Sequence, residues 1–196
     1  MKNSLLSLFA AVLVLAAGMP AAQAAMANAD HIDFALQVNL MNDSNPDVKD
    51  GGGFWLGYRH SLNPNFSLGG KLGAHSYNIE SGSGIQDTVT SVPLLFNVQF
   101  ERNFERSFIF YGGLGIGPSF NSIKGDLTDA FNLKLDTSLA LDINFGGLVE
   151  INPNIALGLG FDWFISAANV TSNLGVSTDV INLTHFGIGF VLVGSF

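Results

Sequence analysis

Apolar and polar residues alternate along most of this chain with a period of two. In the stretch 181–196, apolar side chains occupy every second position from Phe186 to Leu192, and Phe196 ends the sequence. A period of two places successive side chains on opposite faces of a strand. The stretch therefore predicts a β-strand with one continuous apolar face.

The same alternation recurs in seven earlier segments. The eight predicted strands span about 31–41, 53–61, 66–77, 89–101, 107–120, 132–149, 155–166 and 181–196. Short connections at 62–65, 102–106 and 150–154 alternate with long polar ones at 42–52, 78–88, 121–131 and 167–180. This order predicts an antiparallel up-and-down ring with both termini at the short-turn end.

The polar face of these strands indicates which side of the ring meets water. A water-exposed face is expected to be dense in Lys and Glu, but this one carries mainly Gly, Ala, Ser and Asn. Charged residues make up only 12% of the chain, against about 25% in soluble proteins. Small side chains suit the crowded inside of an eight-stranded barrel. We therefore predict an all-β, eight-stranded antiparallel transmembrane β-barrel, with a soluble lipocalin-like barrel as the alternative.

Aromatic residues near the strand ends agree with this orientation, because membrane barrels carry an aromatic girdle at each interface. One predicted girdle contains Phe34, Tyr58, Phe66, Phe100, Phe108 and Phe196, and the other contains Phe54, Phe120, Phe131, Trp163 and Phe186.

The N-terminal segment predicts export from the cytoplasm. Lys2 precedes an apolar run from Leu5 to Ala17, and Ala22-Gln23-Ala24 forms a small-x-small cleavage motif. A membrane-spanning helix would need about 20 apolar residues, so we predict a signal peptide at 1–24 and a barrel domain at 25–196. The chain contains no Cys, so neither a disulfide nor a lipid anchor on Cys is expected.

With its terminal aromatic strand, the mature chain resembles the small eight-stranded outer-membrane β-barrel proteins of the OmpA-transmembrane-domain, OmpX and opacity-protein type. The resemblance implies an integral, multi-pass protein of the cell outer membrane of a Gram-negative bacterium. Its implied partners are outer-membrane lipid, lipopolysaccharide and the barrel-assembly machinery. Phe190, Leu192 and Phe196 resemble the family's assembly signal, although Gly194 stands where the family usually has a larger apolar residue. No peptidoglycan-binding domain is expected after Phe196.

Eight charged residues fall on the predicted inward face. They are Asp33, Arg59, Lys71, Glu101, Lys134, Asp136, Asp142 and Asp162. Charges in a low-dielectric interior must pair, so we predict an interior polar network that plugs the barrel. The alternative is a narrow porin-like channel, in which Asp142, Asp162 and His185 line a path for protons or small ions.

An enzyme is less well supported by the sequence. The lipid A deacylases of barrel type carry a His-x-Ser pair with a Glu, and no His-x-Ser occurs here. His60-Ser61 and His75-Ser76 are neighbours whose side chains point to opposite faces of a strand. The four His residues show no metal-ligand spacing. We therefore predict no catalytic, cofactor-binding or metal-binding residues.

The long loops are predominantly acidic. They carry Asp43, Asp47, Asp50, Glu80, Asp87, Asp126, Asp129 and Asp179 against Lys49 and Lys124. These carboxylates either bind a host or surface ligand, or share divalent cations with lipopolysaccharide phosphates; the alternative is that they are merely solvated. The net charge of −8 argues against nucleic-acid binding. The predicted function is that of a non-enzymatic barrel with a structural or surface-interaction role.

Overall fold

The computed structural model describes residues 30–41, 48–80, 86–104, 107–125, 128, 132–171 and 177–196. The predicted signal peptide at 1–24, the predicted girdle residue Phe131 and the loop acids Asp43, Asp47, Asp126 and Asp129 lie outside the described residues. Within the described ranges, no helix has the length and apolar character needed to span a membrane.

Strand segments dominate the described chain. They are β1 (Asp30–Met41), β2 (Gly51–Asn63), β3 (Phe66–Glu80), β4 (Gln86–Phe104), β5 (Phe108–Gly125), β6 (Lys134–Leu135), β7 (Ser138–Asn152), β8 (Ile155–Thr171), β9 (Ser177–Asn182) and β10 (His185–Ser195). β6 continues into β7 after a break at 136–137, and β9 continues into β10 after a break at 183–184. The ten segments therefore form eight barrel strands, as the sequence predicts.

These strands close into an antiparallel ring in the order β10-β1-β2-β3-β4-β5-β7-β8, with β8 pairing back to β10. The seam between β1 and β10 runs from His31↔Ser195 to Met41↔His185. At its end, the backbone N–H of Asp30 donates to Phe196 at 3.1 Å, and the N–H of Phe196 donates back at 3.0 Å. Closure satisfies the edge groups of both terminal strands.

Two of the short turns are built alike, from the Asn-Pro-Asn sequences 63–65 and 152–154. The side-chain oxygen of Asn63 accepts hydrogen bonds from the backbone N–H groups of Asn65 and Phe66, at 2.9 and 3.0 Å. The oxygen of Asn152 accepts from the N–H of Asn154 at 2.9 Å. The Asn side chain thus fixes each reversal through its own short-range hydrogen bonds.

The two faces of the ring differ as the alternation predicts. Apolar residues of one parity point outward, and Leu36, Phe96 and Leu114 are 55%, 55% and 62% exposed. The other parity is buried inside the ring. The interior is less uniformly small and polar than expected, because it also holds large apolar side chains. Those that are buried include Trp55, Leu95, Ile109, Leu148 and Phe164.

The strands at the long-loop end extend further than predicted. The β3–β4 ladder continues to Glu80↔Gln86, and β5 pairs with β4 as far as Gly125. β8 reaches Thr171 through its pairing with β6 and β9. Backbone hydrogen bonds do not depend on apolar alternation, so the ladders persist after the alternation ends. The long loops are correspondingly shorter than the sequence suggests.

Candidate functional site

The interior of the ring is the candidate site, and its first layer lies near the short-turn end. Arg59 of β2 is 2% exposed. Its Nε donates to Asp33 Oδ2 at 2.5 Å, and its Nη2 donates to Asp33 Oδ1 at 2.9 Å. Its Nη1 donates to Glu101 and, at 3.3 Å, to Ser67. One guanidinium therefore joins β1, β2, β3 and β4, using the planar fork that suits carboxylates.

A second ion pair crosses the middle of the ring. The Nζ atom of Lys71, on β3, lies 2.6 Å from Asp142 Oδ2, on β7. Asn144 Nδ2 donates to the same carboxylate oxygen at 2.8 Å. The ammonium group also lies 4.4 Å from the ring centroid of Trp55. Since β4 and β5 separate β3 from β7, this pair joins opposite walls of the barrel.

Asp162 lies near this pair without a Lys or Arg partner among the described residues. It is 6% exposed and accepts a hydrogen bond from Gln37 Nε2 at 3.3 Å. His185 Nε2 lies 3.9 Å from the same carboxylate oxygen, Oδ2. Gln37 Nε2 also donates to Asn39 at 2.6 Å. The amide of Gln37 and the imidazole of His185 are therefore the polar side chains that approach this carboxylate among the described residues.

Two buried imidazoles form a further layer, in which His185, predicted for the alternative ion path, meets His75, which was not predicted to belong to the site. The ring centroids of His75 and His185 lie 5.1 Å apart. The Tyr77 hydroxyl hydrogen-bonds with His185 Nδ1 at 2.8 Å, and Asn39 Nδ2 lies 3.0 Å from His75 Nδ1. Phe164 contacts both imidazole rings, with centroids at 5.4 and 5.0 Å. Their position on the inward parity was the only signal in the sequence. Their contact with each other has no local signal, because β3 and β10 are far apart along the chain.

An apolar cluster closes the interior at the long-loop end. Its buried members are Val48, Tyr77, Val89, Ile123, Ala168 and Leu183, and Met41, Ile79, Leu133, Leu135 and Ile181 pack against them. Below it, a cavity of about 60 Å³ remains between Trp55, Lys71, Tyr111 and Asp162. One buried water needs about 10–15 Å³ by the same kind of measure, so this space has room for a few waters.

Near the short-turn end, His31 lies between two serines. Its Nδ1 is 2.9 Å from the Ser195 hydroxyl, and its Nε2 is 3.1 Å from the Ser61 hydroxyl. Glu150 is also buried inside, and its carboxylate oxygens have no hydrogen-bond partner among the described residues. Neither residue belonged to the predicted interior network.

Six of the eight predicted interior charges lie inside the ring. Asp33, Arg59 and Glu101 form the first layer, and Lys71, Asp142 and Asp162 lie in the middle.

Lys134 and Asp136 do not lie inside, which corrects the prediction for these two residues. Both are exposed, because β6 pairs with β8 at Val170 and Thr171, beyond the last β7–β8 pair at Ala140↔Ser166. Lys134 therefore belongs to a strand extension and Asp136 to the break that follows it, both outside the ring interior.

The residues of the predicted assembly signal lie on the outward face of the closing strand and just after it. Phe190, Leu192 and Phe196 are 37%, 44% and 68% exposed.

Comparison with known proteins identifies the family. The family described as "Outer membrane protein beta-barrel domain" matches residues 9–192. The chain belongs to this family. No curated protein sequence matches the chain.

Several solved structures of outer-membrane barrels have the same fold. OprG from Pseudomonas aeruginosa is 12% identical with a TM-score of 0.65, and the match covers 89% of this chain and 99% of OprG. The Neisserial surface protein NspA is 13% identical with a TM-score of 0.56, covering 86% and 97%. OmpW from E. coli is 16% identical with a TM-score of 0.55, covering 89% and 99%. At these identities the likeness concerns the fold alone.

Membership of the outer-membrane β-barrel family sets the location of the protein. It is a multi-pass barrel of the Gram-negative outer membrane, so its outward apolar face contacts lipid, and the soluble lipocalin-like alternative is excluded. In such barrels the short turns face the periplasm and the longer connections face outside. Among the described residues, no three His, Cys, Asp or Glu side chains are placed to hold a metal ion.

Proposed function

We propose that this outer-membrane barrel is closed to solutes and non-enzymatic, with a structural or surface-interaction role. The proposal rests on three obstructions that follow one another along the barrel axis. They are the Arg59 cluster, the Lys71–Asp142 pair and the apolar cluster around Leu183. Between them the structure leaves a cavity of about 60 Å³.

Passage of an ion would require each of these layers to open. The Lys71–Asp142 pair connects opposite walls of the ring, with 2.6 Å between Lys71 Nζ and Asp142 Oδ2, and the Asp142 side chain has no exposed surface. Separating a buried pair leaves an uncompensated charge, which costs about 3–5 kcal/mol. At the outer end, an ion would also have to cross buried apolar side chains such as Val89 and Leu183, where it would find no polar ligand.

The second candidate function is a narrow channel for protons or small ions. The observation that favours it is the position of Asp162, which faces the cavity and lies 3.9 Å from His185. Asp142 lies close by, so the three residues predicted to line a path share one region of the interior. For this function the apolar cluster would have to open. A channel of this kind predicts measurable conductance.

A lipid-modifying enzyme is a weaker candidate. The His–Ser contacts that the structure contains, those of His31 with Ser61 and Ser195, lie inside the periplasmic mouth rather than on the lipid face. A triad needs a third group that orients the base. Both nitrogens of His31 already contact hydroxyl groups, and the nearby carboxylates of Asp33 and Glu101 bind Arg59.

We further propose that lipopolysaccharide, the barrel-assembly machinery and a host or surface ligand are the partners of this chain. Phe190, Leu192 and Phe196 would present the assembly signal. Of the predicted loop acids, Asp87 contributes less to a charged surface than the sequence suggests because it is buried, whereas Asp50 stays exposed. Asp87 is 3% exposed within β4, and Asp50 Oδ1 accepts a hydrogen bond from the backbone N–H of Met41 at 2.9 Å.

Solute permeation of proteoliposomes tests the proposal. Purified protein is refolded into liposomes, and swelling is followed by light scattering in isotonic solutions of KCl, glycine and small sugars. A general porin reconstituted in parallel serves as the positive control. We expect swelling at the rate of protein-free liposomes for every solute. Swelling that increases with the protein-to-lipid ratio would contradict the closed barrel and favour the channel.

A further inference from the structure

Two hollows lie side by side on the outward face of the barrel, near the extracellular end. The larger, of about 480 Å³, is bounded by β7, β8 and β9 and includes Leu139, Ala167 and Val180 in its lining. The smaller, of about 330 Å³, includes Leu40 and Trp163. Thr184 lines both hollows. We treat them as one trough, the Thr184 groove.

The strand register explains why the surface is concave here. Ala167 is paired with Asn182, and its small side chain lies low between Leu139 and Val180, which are 66% and 63% exposed. Leu139 precedes the first β7–β8 pair, at Ala140↔Ser166. On the other side of β8, the break between β9 and β10 falls next to the Ala167–Asn182 pair. There the side-chain oxygen of Asn182 accepts a hydrogen bond from the backbone N–H of Thr184 at 2.9 Å. The end of one ladder and the break in another leave the trough.

The lining of the Thr184 groove is amphipathic and uncharged. Among the residues whose side chains the structure describes, the lining contains no Asp, Glu, Lys or Arg. Its apolar walls continue downward into the lipid-facing surface through Leu141 and Ile165, which also belong to the lining. Asn182 and Thr184 add hydrogen-bonding groups. An acyl chain joined to an amide, ester or hydroxyl group matches this surface, whereas a phosphate would find no cation to bind.

We propose that the Thr184 groove binds one molecule of outer-leaflet glycolipid, the lipid A part of lipopolysaccharide. An acyl chain lies over Ala167, and the amide and hydroxyl groups at the head of that chain meet Asn182 and Thr184. The extracellular position selects the outer leaflet, and the hollows are open along the lipid-facing surface, as a side-on contact with an acyl chain requires. The site rests on the proposed partnership with lipopolysaccharide and on the outer-membrane location, and it holds whether or not the barrel conducts.

The two tryptophans allow a direct test. Trp163 is 51% exposed beside the groove, whereas Trp55 is buried inside the barrel. The Trp55→Phe variant is refolded in phospholipid vesicles with brominated acyl chains, which quench Trp163. Unbrominated lipid A or unbrominated phospholipid is then titrated in. We expect lipid A to restore fluorescence at about tenfold lower mole fraction than phospholipid, a preference of about 1.4 kcal/mol.

Matched substitutions locate the effect. Ala167→Phe fills the floor of the groove, while Ala74→Phe enlarges an outward alanine on β3, opposite Phe54. We expect the preference for lipid A to disappear only in Ala167→Phe, with folding verified by the heat-dependent gel shift. If the Ala167→Phe variant does not fold, the Ala167→Leu variant takes its place in the experiment.

Three outcomes would overturn the proposal. The first is a pair of superimposable titrations for lipid A and phospholipid in the Trp55→Phe protein. The second is a preference that survives a filled groove. The third is a preference that vanishes when dephosphorylated lipid A is used, since this would assign recognition to the phosphates rather than to the neutral groups at Asn182 and Thr184.

Discussion

Replacement of Arg59 by alanine is the most informative perturbation of the interior. The guanidinium is 2% exposed and binds two carboxylates, Asp33 and Glu101, whose side chains are 21% and 13% exposed. Arg59→Ala therefore leaves two negative charges near each other without a cation. Removal of one partner from a buried pair costs about 3–5 kcal/mol. Because water reaches both carboxylates in part, we expect the lower end of that range, about 3 kcal/mol.

Urea titration of the protein in lipid vesicles measures this free energy of unfolding, with tryptophan fluorescence and the heat-dependent gel shift as independent signals. Arg102→Ala is the matched control. Arg102 is exposed on β4, and its guanidinium lies 5.3 Å from the ring of Phe104. An exposed cation–π contact is worth about 0.5–1 kcal/mol, so the control should lose no more than that.

A third variant separates charge from packing. Arg59→Met combined with Asp33→Asn and Glu101→Gln removes the whole charged cluster at similar volume. Neutral replacement of a complete buried ion cluster often costs little, so this triple variant should be more stable than Arg59→Ala. The reasoning fails if Arg59→Ala loses no more stability than Arg102→Ala, or if the triple variant is the least stable of the three.

Three further predictions concern lipid exposure, assembly and processing. Leu141→Arg should lower the free energy of unfolding by about 2–4 kcal/mol in vesicle refolding titrations, because it places a charge on the lipid face. Asn169→Arg, on the exposed part of β8, should lower it by less than about 1 kcal/mol. Equal losses would refute the assigned membrane span. Deletion of Phe196 should leave unfolded protein in the periplasm, while Phe110→Ala should still assemble; an undiminished heat-dependent gel shift in outer-membrane fractions after the deletion would contradict the role of Phe196. The intact mass of the purified protein should correspond to a chain that starts at Ala25, and a mass that retains 1–24 would disprove cleavage after Ala24.

The sequence predicted the strand number and the two faces because both depend on local alternation. Lipid requires an apolar side chain at nearly every second position, so residues such as Leu36 and Leu114 stand out. Strand ends were predicted less well, because the residues around Glu80 and Gln86 pair through backbone groups that any side chain permits.

Ala140 shows where parity alone is insufficient. It lies on the inward face and is paired with the polar residue Ser166, yet it packs against three large apolar side chains, those of Trp55, Leu95 and Phe164.

The partners of the interior charges were not predictable from the sequence. The Lys71–Asp142 contact depends on the stagger of strands on opposite walls of the ring, which alternation does not specify. The strand break at 136–137 coincides with Thr137, a polar residue on the apolar parity of 132–149, but one such residue does not specify a break, and it is the break that places Lys134 and Asp136 outside the interior. His75 and His185 lie 110 residues apart in sequence and meet only because the barrel closes.

Single-protein conductance in a planar lipid bilayer tests the closed interior most directly. The protein is inserted from detergent at low concentration into a bilayer bathed in KCl, with insertion verified from the folded fraction of the same preparation. The closed barrel predicts a current that stays at the level of the bare bilayer across the applied voltages. A steady, ion-selective conductance that Asp142→Asn or Asp162→Asn abolishes would contradict the closed barrel and show that these carboxylates line a channel.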